Sequence, residues 1–354
     1  MFRYLILGLG LGAATAAGAA DDGARAVQHA VDNFVRPAYV SLLANASAQR
    51  EAMETLCTTP SKADLEMARG RFRMAVETLS ATEIIRFGPI SEDNRLERQL
   101  FWPDRKGAGL RQVQAAIAEK DPSVTDAKVL AGKSVAMQGF GALEFVLFGT
   151  GSDELAGKEA AHRCAYGVAI AENLEHIASS VSSNWSSAHG FAETWTEPGN
   201  DIYRDEQEAL TELLEVFVNG LELVRDVRLN GFLGTEPAGD KARSALFWRS
   251  DLTADSLAGN LEALHALFDA SQLGDMLPTD MEWLPQSIDF EFKNAARAIT
   301  ALEGKPIADV LADPQMRGKL DYLRVVTTSL SDLIGRQFAG QLGITAGFSS
   351  LDGD

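Results

Sequence analysis

Apolar residues recur every three or four positions through most of the chain, the period of helices with one buried face. Val27, Val31, Phe34, Ala38 and Leu42 form one stripe. Leu155, Val168, Leu174, Ile177, Val181 and Trp185 contribute to a second. Leu320, Leu323, Val326, Leu330, Ile334 and Phe338 form a third, which Gly343 can close as a C-cap. No run alternates apolar and polar residues as a half-buried strand does, so the pattern predicts an all-α protein. Breaks rich in polar residues, glycine and proline fall at 58–61, 86–94, 102–109, 149–157, 196–201, 231–240 and 273–280. The helices between them run to roughly 20–40 residues, lengths typical of up-and-down bundles.

The triplet Leu-Phe-Trp occurs at 100–102 and again at 246–248, each time before a polar break and a helical run. Glu-Phe recurs at 144–145 and 291–292 with nearly the same offset. These repeats suggest a duplication of one bundle into two. The expected organisation is a leader at 1–20, a first helical bundle over 21–200 and a second over 201–354. The leader reading rests on one Arg, an apolar core and a small-residue end, with Gly18 and Ala20 suited to cleavage before Asp21. No later apolar run reaches the eighteen or so residues that cross a bilayer. An exported, periplasmic protein with no transmembrane segment is expected.

Lys and Arg number 32 against 50 Asp and Glu, a formal charge of −18, or −19 once Arg3 leaves with the leader. Such a surface repels phosphate backbones, so nucleic acid is not an expected partner. Two cysteines, Cys57 and Cys164, stand in a chain bound for an oxidising compartment. A disulfide between them and a pair of buried free thiols are both open readings.

One stretch carries the most chemical information. In MQGFGALEFVLFGTG, 137–151, a single carboxylate, Glu144, sits among apolar residues with Gly139 and Gly141 before it. On a helix Phe140, Gly141, Leu147 and Phe148 share its face, so Glu144 points inward. A buried carboxylate needs a partner. If 137–149 and 158–185 form an antiparallel hairpin about residue 153, His162 or Arg163 faces Glu144. An Arg163–Glu144 contact is therefore expected. Trp102 and Trp248 read as bundle-end packing anchors, and Ser250 or Asp251 as the cap of a following helix.

The stretch resembles the signature of the imelysin family, Gly-x-His-x-x-Glu, here Gly139-Phe-Gly141-Ala-Leu-Glu144. IIRFGP at 84–89, NRLERQLFWPDRKG at 94–107, FWRSDLTADSLAGNLEAL at 247–264 and the C-terminal GITAGFSSLDGD at 343–354 resemble the family too. The resemblance implies an exported bacterial protein of two helical bundles, with a site in the cleft between them and a frequent link to iron uptake. It also implies the class of candidate metallopeptidases. By the same resemblance Gly139, Gly141, Glu144, Arg86, Phe87, Arg249 and Asp352 become candidate cleft residues, with Arg163 added as the carboxylate's partner.

The departure lies at Gly141, where the signature has histidine. Glycine offers neither metal ligand nor proton acceptor, but it opens space over its turn. Zinc wants several N or S ligands. The chain has no HExxH, and no two of its five histidines are three or four apart. Glu144 and His162 are the remaining weak metal candidates. No cofactor is assigned. The expectation is a non-enzymatic binding protein whose cleft takes a small ligand, a metal complex or a peptide. The alternatives are a metallopeptidase using Glu144 with ligands from elsewhere, such as His162 or the terminal acids, and a subunit of an iron-handling complex.

Overall fold

The computed structural model describes residues 13–344 and is helical throughout, with no strand among the described residues. The helices that build the core are α1 (Ala13–Ala30), α2 (Arg36–Thr58), α3 (Lys62–Thr82), α4 (Gly139–Phe148), α5 (Ala161–Ser186), α6 (Glu206–Glu222), α7 (Thr253–Ser271), α8 (Trp283–Thr300) and α9 (Pro314–Ser331). Their ends follow local chemistry. Ser61 accepts a hydrogen bond from the Asp64 amide and starts α3, just after the predicted TTPS break. Asp313 caps α9 with Pro314 in the first turn, where a missing N–H costs nothing. All six residues of the 320–338 stripe are buried, and Gly343 beyond it has the positive φ of a helix stop.

The first bundle packs α2 against α3 and α5, with α4 laid across α3 and α5. In the second, α7 packs on α8, α8 on α9, and α6 against α7 and α9. A π-helical turn, Val31–Val35, links α1 to α2 without a break, so one rod serves both bundles. Its N-terminal part, α1, packs on α6 and α7, and its C-terminal part, α2, on α3 and α5. Two further π-helical turns, Leu223–Leu229 and Asp332–Phe338, extend α6 and α9.

The bundles meet along α3 and α7, where small residues allow the backbones to approach. A methyl group on Gly259 would stand 2.8 Å from the Ser80 Cβ. The Ser80 and Ser256 hydroxyls lie 3.1 Å apart, and Asn260 donates to the Ser80 carbonyl at 2.8 Å. At the end of this seam Arg228 and Glu83 form an ion pair, both side chains almost wholly out of water. Burial lowers the Arg228 pKa and Glu83 opposes that shift.

Cys57 and Cys164 are disulfide-bonded, joining α2 to α5 within the first bundle at a Cα separation of 5.6 Å. The bond spans 107 positions, so its main effect is to restrict the unfolded chain. Replacing both cysteines by alanine should cost about 2–4 kcal/mol in urea unfolding. An unchanged midpoint would show that the bridge contributes nothing.

Candidate functional site

The α4 sequence places Glu144 on the side of the helix that meets the second bundle. It starts at Gly139, whose φ of +83° and tight surroundings leave no room for a side chain. A Cβ there would lie 2.5 Å from the carbonyl oxygens of both Arg98 and Gln99. Gly141, the third residue of the helix, is the opposite case: a Cβ there would meet nothing within 4 Å. That open space belongs to a cavity of about 600 Å³ between the bundles.

Both Leu-Phe-Trp repeats line this cavity, Phe101 and Trp102 on one side, Leu246, Phe247 and Trp248 on the other. The two tryptophans are half-buried, packed against the hydrophobic core as expected from the sequence, and also line the cavity. Ala108–Ala118 and the π-helical turn after α6, through Asp226 and Val227, complete the walls.

Glu144, 4 % exposed, forms part of the lining. Its Oε1 accepts from the Arg249 amide at 3.0 Å, the Ser250 amide at 3.1 Å and the Ser250 hydroxyl at 2.9 Å. Oε2 faces the Arg249 guanidinium at 3.9 Å. Burial raises the carboxyl pKa above its ordinary value of 4.5, and the Ser250 and Arg249 contacts pull it partly back. Hydrogen bonds to a charged acceptor are worth about 1.5–3 kcal/mol each, which offsets much of the desolvation.

Arg249 lies over two aromatic faces, 4.4 Å from the Trp248 ring centroid and 5.5 Å from that of Phe145. Arg243 approaches Trp248 at 5.7 Å. Together Arg243, Trp248 and Arg249 form a wall shared with a neighbouring cleft of about 450 Å³.

The expected partner of Glu144 is corrected. Arg163 does not pair with it. Its Nε donates to the Val146 carbonyl at 2.9 Å, Nη1 to Thr150 at 2.7 Å and Nη2 to Phe145 at 2.6 Å. The Phe145 and Val146 carbonyls lie in the last turn of α4 and Thr150 just beyond it, so the guanidinium caps that terminus, sharing the Phe145 carbonyl with the Gly149 amide. Arg163 is not a cavity residue. His162, also expected near Glu144, contacts the Asp121 carbonyl at 2.9 Å instead. Phe87 sits in an aromatic cluster with Trp185, Phe191 and Trp195, away from this cavity. Arg86 lines a smaller cavity of about 210 Å³ that shares Phe101, Trp102 and Pro103 with the main one. Asp352 and the rest of the SSLDGD motif lie outside the described residues.

Gly141, Glu144 and Arg249 are thus brought together, with Gly139 supporting the helix start. Arg105, Lys241 and Arg243 also line the cavity and went unnoticed in the sequence. Their only signal was basic residues in the breaks flanking each Leu-Phe-Trp. Among the described residues no three His, Cys, Asp or Glu side chains cluster so as to hold a metal ion. With glycine at 141, the donor set around Glu144 does not fit the metal that a His-x-x-Glu pair would help to bind.

Comparison with known proteins places these features in context. The imelysin family model, of peptidase group M75, matches residues 35–334. Iron-regulated protein A of Synechococcus elongatus is 26% identical over 327 residues, covering 88% of this chain and 84% of that protein. An imelysin-like protein from Psychrobacter arcticum superposes with a TM-score of 0.76 at 17% identity, over 97% of this chain and all of the other. A Parabacteroides distasonis protein assigned as an iron-regulated protein A precursor gives 0.73 at 17% identity, over 90% and 95% of the two chains.

The two glycines should respond oppositely to alanine. Gly139→Ala forces a methyl group into backbone and should lose more than about 1 kcal/mol in chemical denaturation. Gly141→Ala fills open space on a helix and should gain about 0.5–1 kcal/mol.

The raised Glu144 pKa sets a sign for pH. The folded state holds this proton more tightly than the unfolded state, so the contribution is fully present below the ordinary value. It is lost as pH rises through the folded value. Glu144→Gln should therefore gain in relative melting temperature from pH 4 to pH 7. A difference that does not change with pH would contradict the raised pKa.

Proposed function

Since the chain belongs to the imelysin family, we propose that it is an exported, periplasmic binding protein rather than an enzyme. Its cavity between the bundles receives a ligand from the iron or metal supply of the cell. The observation that carries this reading is the open space over Gly141. Where the family signature has an imidazole, this chain has access to a 600 Å³ cavity floored by a buried carboxylate. That volume suits a small molecule or metal complex, and its aromatic walls with a few placed polar groups are the usual make-up of a ligand pocket.

The link to iron comes from the relatives described as iron-regulated. Export agrees with the N-terminal leader pattern, and no described helix is long and apolar enough to cross a membrane. Glu144 acts here as a structural acceptor that fixes the 249–250 backbone. Its three hydrogen bonds to Oε1 leave that oxygen poorly placed to take a proton from water or bind a cation.

The test is purification from the native periplasm followed by native mass spectrometry and elemental analysis. A bound small molecule or metal complex should accompany the wild type and be missing from Gly141→Leu, whose side chain enters the cavity. Circular dichroism should show both proteins equally helical. Metal-dependent proteolysis that disappears in Glu144→Ala would overturn the proposal in favour of a peptidase.

A further inference from the structure

The cavity's charged groups are unequally satisfied. Its carboxylates are all engaged by the protein itself. Asp104 accepts from the Ala108 and Leu110 amides at 2.7 and 3.1 Å, capping the helix that follows. Asp226 accepts from Arg225 at 2.6 Å and from Asn230 at 3.1 Å. Glu144 has its three donors from residues 249 and 250.

The cations are not matched in this way. Among the described residues, no hydrogen bond or ion pair engages the side chains of Arg105, Lys241 or Arg243. Arg249 has only the 3.9 Å approach to Glu144. Its side chain is 19% exposed; burial lowers its pKa, Glu144 opposes that shift, and the nearby Arg243 adds to it, so its charge is held at a cost. Arg243 and Arg249 share the Trp248 ring, which keeps two like charges together on a protein of formal charge −18. Aromatic contact fixes a guanidinium's plane and leaves its N–H edge free for an oxygen acceptor.

We propose that the ligand of this cavity is an anion carrying two or more carboxylate or phosphate groups, gripped by Arg249 and Arg243 with Lys241 and Arg105 at the rim. The proposal rests on the cavity being a binding site. Four cations against three internally satisfied carboxylates leave a local excess of positive charge that a multivalent anion neutralises. Trp248, already flanked by guanidinia, offers a flat wall for the ligand's carbon skeleton. A metal would enter such a site already wrapped by its anionic chelator, which removes the need for protein metal ligands.

The test is titration calorimetry of the full mature chain with citrate and pyrophosphate, with spermidine and maltose as cationic and neutral probes. One or both anions should bind, with affinity falling as salt rises. Which anion binds more tightly separates carboxylate from phosphate chemistry. Arg243→Gln and Lys241→Gln change exposed side chains and should fold normally. Each should weaken anion binding about tenfold, the cost of one charge-assisted contact. Gly141→Leu should abolish it. Anion binding that survives Gly141→Leu places those anions elsewhere and overturns the proposal.

The native-periplasm preparation separates this proposal from the reading beneath it. A neutral or cationic molecule retained by wild type and by Arg243→Gln, but lost from Gly141→Leu, leaves the binding cavity standing and overturns the anion. If neither the probes nor any periplasmic compound binds, both fall together.

Discussion

One carboxylate holds the two halves of this protein in register. Glu144 on α4 takes three hydrogen bonds from residues 249 and 250, more than a hundred positions away and in the other bundle. An isolated carboxylate at that depth would be costly, so its position is tolerable only if the 249–250 backbone arrives where it does. The reverse also holds: among the described residues, Glu144 is the acceptor that the Arg249 and Ser250 amides find. The cavity wall, Trp248 and Arg249 included, is placed by this contact. It is a polar cross-link made where each half alone would leave a group unsatisfied.

The α3–α7 seam works by a different means. There Gly259, Ser80 and Ser256 bring two helices close, and the Asn260 amide donates across the seam to the Ser80 carbonyl. Close packing without large side chains gives a stiff joint, whereas the Glu144 contact defines orientation at the cavity. Together they make the space between the bundles a fixed feature of the fold.

Much of this could be read from the sequence because it is local. The helical stripes, the breaks at 58–61 and 149–157 and the helix stop at Gly343 all depend on neighbours within a few residues. The cysteine pairing was open on sequence alone, and the packing of α2 on α5 decides it. The partner of Glu144 was missed for the same reason that the helices were found. A hairpin argument knows only the adjacent helix, and it pointed to Arg163. That residue instead meets the carbonyls that every helix end must satisfy, a demand stronger than the pull of one carboxylate on the same face. Arg249 reaches Glu144 through tertiary packing across 105 positions, for which no short-range pattern exists. The basic residues beside each Leu-Phe-Trp lay in breaks whose polarity is ordinary for loops, and only the folded chain brings them to one cavity.

From Asp21, where the expected leader ends, to Thr58, the rod formed by α1, Val31–Val35 and α2 runs over 38 residues, about 57 Å at the rise of a helix. It is a member of both bundles. Many two-lobed proteins take up cargo by swinging about a flexible strap, and such a strap absorbs rotation at a few loop residues. A shared axle gives no such freedom, because rotating one lobe would shear the core of both. If the cavity binds a ligand as proposed, the movable part of its entrance is the set of exposed side chains of Arg105, Lys241 and Arg243. On that reading, ligand exchange follows fast side-chain motion rather than a slow closure of the lobes.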